Sequence, residues 1–139
     1  MRNMGFALVA IALWCIPFAM ASPQKDAVAR FYELREKTLD QRGTTQDVDK
    51  LLSLFSDDLR YEHPMASVVM TKPQTRAGMI DHLGEGRNAK YTLRHARFGS
   101  DFAVVEFTLE YTVEGKKINH PGVATFEFSG DKISRVAEY

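Results

Sequence analysis

His63 ends the run Leu59-Arg60-Tyr61-Glu62-His63, in which apolar or aromatic residues alternate with charged ones until Pro64 stops the pattern. Alternation with a period of two predicts a short strand with Leu59, Tyr61 and His63 on one face. Imidazole titrates near neutral pH, so a histidine on that face has the chemistry of a general acid or base. A rim histidine hydrogen-bonded to structure has the same sequence signature, and both readings stand at this level. His120 lies on a second strand-like run, where Ile118, His120, Ala124, Phe126 and Phe128 share the even-numbered face unless Pro121-Gly122 inserts a bulge. Two imidazoles in one pocket would make an acid and base pair. As metal ligands they fall short of the usual three, so no metal is expected.

Tyr61 and Tyr111 both fall on apolar faces, where a phenol offers its hydroxyl to a ligand oxygen or simply packs in the core. Glu138 alternates with Val136 and Ser134 near the end of the chain, and both an inward, buried carboxylate and an outward, solvated one fit that alternation. His82 and His95, beside Asp81 and Arg94, read as exposed. The candidate catalytic residue is therefore His63, and the candidate binding residues are Tyr61, Tyr111, His120 and Glu138.

The elements that must position these residues are helices first and strands afterwards. Ala27, Val28, Phe31, Tyr32, Leu34 and Leu39 recur at helical spacing between Lys25 and Gln41, and Gly43 closes that helix. Thr44-Thr45-Gln46-Asp47 supplies caps for a second helix, with Val48, Leu51, Leu52 and Phe55 in one stripe and Asp57-Asp58 at its end. Residues 65–75 read as a loop. Thr75 to Leu83 reads as a third helix with Met79, Ile80 and Leu83 inward, ended by Gly84 and Gly86. Four strands follow, over residues 91–98, 102–113, 117–128 and 132–139, separated by the turns Gly99-Ser100-Asp101, Glu114-Gly115-Lys116 and Ser129-Gly130-Asp131. In the second of them Val105, Phe107, Leu109, Tyr111 and Val113 alternate with Glu106, Thr108, Glu110 and Thr112, so one face is apolar and the other polar. The class is α+β, a curved antiparallel sheet wrapped around the N-terminal helices. Strands this long twist and curl, which predicts a cone with a concave, apolar-lined pocket.

The chain of 139 residues carries 18 basic and 18 acidic side chains. Their even mixing leaves no basic stripe of the kind that binds nucleic acid. Arg2, the uncharged run Phe6 to Ile16, Pro17 and Ala19-Met20-Ala21 together read as a secretory signal peptide over residues 1–21, cleaved after Ala21. The competing reading, an uncleaved anchor over Met4 to Ala21, is short for a membrane span. Cleavage would leave a domain over residues 22–139 that is exported to the periplasm or medium, without a membrane anchor. Cys15, the chain's only cysteine, falls in the leader, so the domain depends on an ordinary core and not on disulfides. Trp14 before it lacks the small residue that lipid attachment requires.

The run Asp47 to Asp58, leading into Tyr61-Glu62-His63-Pro64, resembles the SnoaL-like, nuclear-transport-factor-like superfamily. Gly115-Lys116 between long strands, and Gly130-Asp131-Lys132-Ile133 before a closing strand that ends Ala137-Glu138-Tyr139, resemble it too. The resemblance implies a cone-shaped pocket, cofactor-free chemistry and a homodimer formed through the outer face of the sheet. It spans isomerases, hydratases, cyclases, epoxide hydrolases and non-catalytic binders, so it specifies fold more closely than function. Compared with ketosteroid isomerases, the general-base position falls on His63, while the two oxyanion-donor positions fall on Phe31 and near Ala124. Two readings follow: an exported pocket for a small apolar molecule with acid/base chemistry at His63, or a non-catalytic ligand-binding or protein-interaction module. Neither requires an organic cofactor, since no glycine-rich phosphate loop is present.

Overall fold

The computed structural model describes residues 22–139, so the predicted signal peptide lies outside the described residues. Helix α1 (Pro23–Leu39) starts where the Ser22 side chain accepts a hydrogen bond from the Lys25 backbone N–H, and proline at its first position suits the start of a helix. Its inward side buries Val28, Phe31, Tyr32, Leu34 and Thr38. Helix α2 (Thr45–Leu52) opens on a reciprocal box in which Thr44 caps the Asp47 N–H and Asp47 caps the Thr44 N–H.

α2 ends earlier than its apolar stripe predicts. Phe55 is seven residues beyond Val48 and continues the stripe, yet it belongs to strand β1 (Phe55–His63) and pairs with Ile133. Either conformation buries Phe55, and its 2 % exposure shows why apolar spacing alone does not locate the boundary. The segment read as a loop contains a 3₁₀ turn at Pro64–Ala66 and a short strand β2 (Val68–Met70) that folds back on β1, with His63 opposite Val68. Helix α3 (Lys72–Asp81) begins three residues before the predicted start, where Gln74 caps the Thr71 N–H at 2.9 Å.

The strands β3 (Arg87–Phe98), β4 (Phe102–Val113), β5 (Lys116–Ser129) and β6 (Lys132–Glu138) form the expected meander. The six-stranded order is β2-β1-β6-β5-β4-β3. β1 runs parallel to β6, with Tyr61 opposite Val136, so the sheet is mixed and not purely antiparallel. A parallel neighbour needs a crossover, and here everything between β1 and β6 supplies it. The sheet is curved and unclosed, with the helices packed against its concave side.

The β4/β5 register is unbroken from Phe102 opposite Glu127 to Val113 opposite Lys116, so Pro121-Gly122 inserts no bulge. Gly122 serves close packing instead: a Cβ there would lie 2.6 Å from the ring of Phe107. The core is an aromatic cluster in which Phe31 meets Phe126 edge-on at 5.2 Å and Tyr32 meets Tyr91 at 4.9 Å.

Candidate functional site

A cavity of about 450 Å³ lies between the C-terminal half of α1, β2 and α3, and the concave face of the sheet. Leu39, Met70, Met79 and Leu109 give it apolar walls. Its polar groups arrive on separate elements: Arg35 from α1, Tyr61 and His63 from β1, Tyr111 from β4. Alternation along β1 turns Tyr61 and His63 to the same side as Leu59, as the sequence pattern predicts.

His63 lines the cavity with its side chain 40 % exposed, and its Nδ1 lies 3.8 Å from Glu138 Oε2. That separation is an ion-pair distance once the ring is protonated, but it is too long for a hydrogen bond. Tyr61 is buried beside it, their ring centroids 5.4 Å apart, and its hydroxyl has no hydrogen-bond partner. Glu138 faces inward, opposite the fully buried Ala124. Its side chain is 14 % exposed, and Oε1 is buried without a partner. Glu138 does not itself line the cavity; it stands behind His63. Tyr111 lines the cavity, and its ring lies against Gly86.

His120 is placed differently from the other four. It lies opposite Leu109 and so shares the concave face, but it is exposed and does not line the cavity. Strand alternation gives the face correctly; it does not tell how far along the strand the cavity extends, and the hairpin end around His120 stands outside it. His82 is exposed and paired with Glu85 at 2.9 Å, yet both contribute to the cavity lining. Among the described residues, no three His, Cys, Asp or Glu side chains gather as a metal site would require.

The sequence reading passes over Arg35 and Tyr91 and gives Tyr32 only a place on the apolar stripe of the first helix. Arg35 follows Val28 by seven residues, Phe31 by four and Tyr32 by three, which puts it on the buried stripe of α1. An arginine interrupting an apolar stripe was the available signal. Arg35 lines the cavity, and its Nε is buried without a partner. Burial, the largest single influence, lowers the proton affinity of the guanidinium; Tyr91, Tyr61 and Glu138 raise it and prevail. Of those three, Glu138 is the carboxylate. The Tyr61 phenol is pushed well above its usual range by burial and then by Glu138. Burial likewise raises Tyr32, reinforced by Glu138, and raises Tyr91 despite the opposing effect of Arg35. These phenols are therefore neutral at physiological pH. The arrangement offers a proton-exchanging imidazole, hydroxyl donors and a fixed cation around one apolar space, the equipment for placing negative charge on a ligand oxygen.

A family model of the SnoaL-like domain matches residues 25–136. The chain belongs to the SnoaL-like family. Solved structures agree on the fold. A hypothetical protein with a ketosteroid isomerase-like fold from Catenulispora acidiphila DSM 44928, in complex with trimethylamine, superposes with a TM-score of 0.67 at 17 % identity, covering 82 % of this chain and 84 % of that one. A proposed SnoaL-like polyketide cyclase from Shewanella putrefaciens CN-32 gives 0.68 at 9 % identity, covering 85 % and 89 %. TerC, co-crystallised with polyporic acid, gives 0.66 at 19 % identity, covering 85 % and 91 %. No curated protein matches the sequence. Within this SnoaL-like cone, Phe31 and Ala124 are wholly buried and carry no polar side-chain atom. Glu138 is the register partner of Ala124 on the neighbouring strand β6.

Proposed function

We propose that this SnoaL-like domain binds a small, largely apolar molecule in its cone cavity, and that His63, backed by Glu138, exchanges a proton with it. The observation that carries this reading is the convergence of His63 and Tyr61 on one apolar-walled cavity, with an inward carboxylate 3.8 Å behind the imidazole. A cavity with few convergent polar groups is the usual form of a small-molecule site. The solved relatives carrying polyporic acid and trimethylamine, and the cyclase proposal for another, are in keeping with a small organic ligand. The 3.8 Å gap favours one second reading, a binding protein without turnover, because the pair is not assembled as a hydrogen-bonded relay. From the sequence we also propose export after cleavage at Ala21, and from the family resemblance a homodimer.

Native mass spectrometry of protein isolated from its own compartment addresses all of these together. The expected spectrum shows a dimer of chains beginning at Ser22 with a small organic adduct, and His63→Ala loses most of that adduct. An adduct held equally by the variant would remove His63 from the site. Empty chains in both would count against the pocket reading itself.

A further inference from the structure

Arg35 is a charged group inside the cone with nothing to hold. Among the described residues, no carboxylate lies within ion-pair distance of its guanidinium, and its buried Nε has no hydrogen-bond partner. The Tyr91 phenol lies beside it, and a neutral phenol does not compensate a charge. The other charged residue in the lining, Glu85, is bound to His82. Glu138 acts on Arg35 through space, but its Oε2 is directed to His63. Arg35 is half-buried with its Nε enclosed, and a guanidinium that is partly withdrawn from water without an ion-pair partner gains from an anion.

The hydrogen-bonding account leans the same way. Arg35 Nε is buried without a partner, as are the hydroxyls of Tyr32 and Tyr61, which can donate or accept, and Glu138 Oε1, which can only accept. Arg35 Nε can only donate, so it is left for an acceptor that a ligand brings. Given a small-molecule pocket, as proposed above, we infer that its ligand is an amphiphilic monocarboxylate whose carboxylate pairs with Arg35. A carboxylate supplies acceptor sites on two oxygens and matches the planar guanidinium fork, whereas a neutral carbonyl has one oxygen and leaves the charge uncompensated. A dianion is disfavoured by the single cation and by Glu138 nearby. The apolar body of the ligand lies along Leu39, Met70, Met79 and Leu109. Tyr61, at the same cavity wall, donates to the carboxylate or to the atom beside it.

Calorimetric titration of the full chain with phenylbutyrate and with its neutral isostere phenylbutyramide tests the inference. The carboxylate is expected to bind about tenfold more tightly than the amide. Arg35→Met should abolish that preference, bringing the two affinities together. Arg35→Lys, which keeps the charge and loses the fork, should retain part of it, and serves if the methionine variant does not fold. Amide binding equal to or tighter than carboxylate binding in the wild type would overturn the inference and leave the pocket reading standing. Failure of both probes to bind at millimolar concentration would overturn both.

Discussion

Tyr61 combines a fully enclosed ring with a hydroxyl that meets no partner, so its two ends have opposite effects on the empty protein. The ring is core material, while an unsatisfied buried hydroxyl costs about 1–3 kcal/mol. Tyr61→Phe should therefore leave the ligand-free protein as stable or more stable, by up to about 1 kcal/mol, and weaken phenylbutyrate binding severalfold. Thermal melting and calorimetry read the two effects separately. A loss of stability greater than about 1 kcal/mol would mean that the hydroxyl is bonded in the empty state. At this scale the sequence was informative where a strand carried the signal. Period-two alternation turned Tyr61 and His63 to one side, and the same logic gave His120 the correct face. It could not give depth along the strand, which is why His120 lies outside the cavity. Arg35 escaped notice because a single arginine on a helix ordinarily reaches solvent, and only its place on the buried stripe distinguished it.

At the scale of elements, the join between β1 and β6 is the part with no local signal. Its partners are more than seventy positions apart, and parallel pairing needs no turn between them that a sequence would display. The outer face nevertheless shows how the join is secured. Arg135 Nε and Nη2 hold both oxygens of Glu62, at 3.0 Å and 2.8 Å, and its Nη1 reaches Glu127 at 2.6 Å, tying β1, β6 and β5 together. Glu62 is 7 % exposed, and the hydrogen bonds from Arg135 hold its carboxyl below the usual carboxylate range. A lowered folded pKa contributes stability above the unfolded value, about 4.3, and that contribution is lost as the pH falls through the folded value. Glu62→Gln should cost on the order of 1–2 kcal/mol at pH 7, a figure discounted because the Arg135 side chain is 34 % exposed. Melting temperatures of wild type and variant should converge as the pH falls below the carboxylate range. A gap that persists unchanged in acid would assign the effect to packing and not to charge.

For the molecule as a whole, the order of elements and the α+β class were legible, because long alternating strands and capped helices each carry their own pattern. The sheet's one parallel pair and the β2 hairpin were not, since both depend on contacts formed only after the chain has folded. Folding places Tyr32, Tyr61 and Tyr91 around Glu138 inside the cone, and this gives the intact protein an alkaline limit. Burial raises all three phenols above their ordinary value near 10, and Glu138 raises each of them further. A raised folded pKa means that the unfolded chain loses its protons first. The stability held below the unfolded value is therefore lost as the pH climbs toward the folded one. In an alkaline titration followed by phenolate absorbance and by circular dichroism, three of the chain's five tyrosines should ionise only as the fold is lost. Tyr32→Phe, which removes one of those protons from the balance, should move the alkaline midpoint to higher pH, provided its loss of the hydroxyl leaves the neutral-pH melting temperature unchanged. Ionisation of all five phenols while the circular dichroism stays native would show that the pocket admits hydroxide and solvates its phenols. The partial withdrawal from water on which the proposed pairing of Arg35 with a carboxylate depends would then be absent as well.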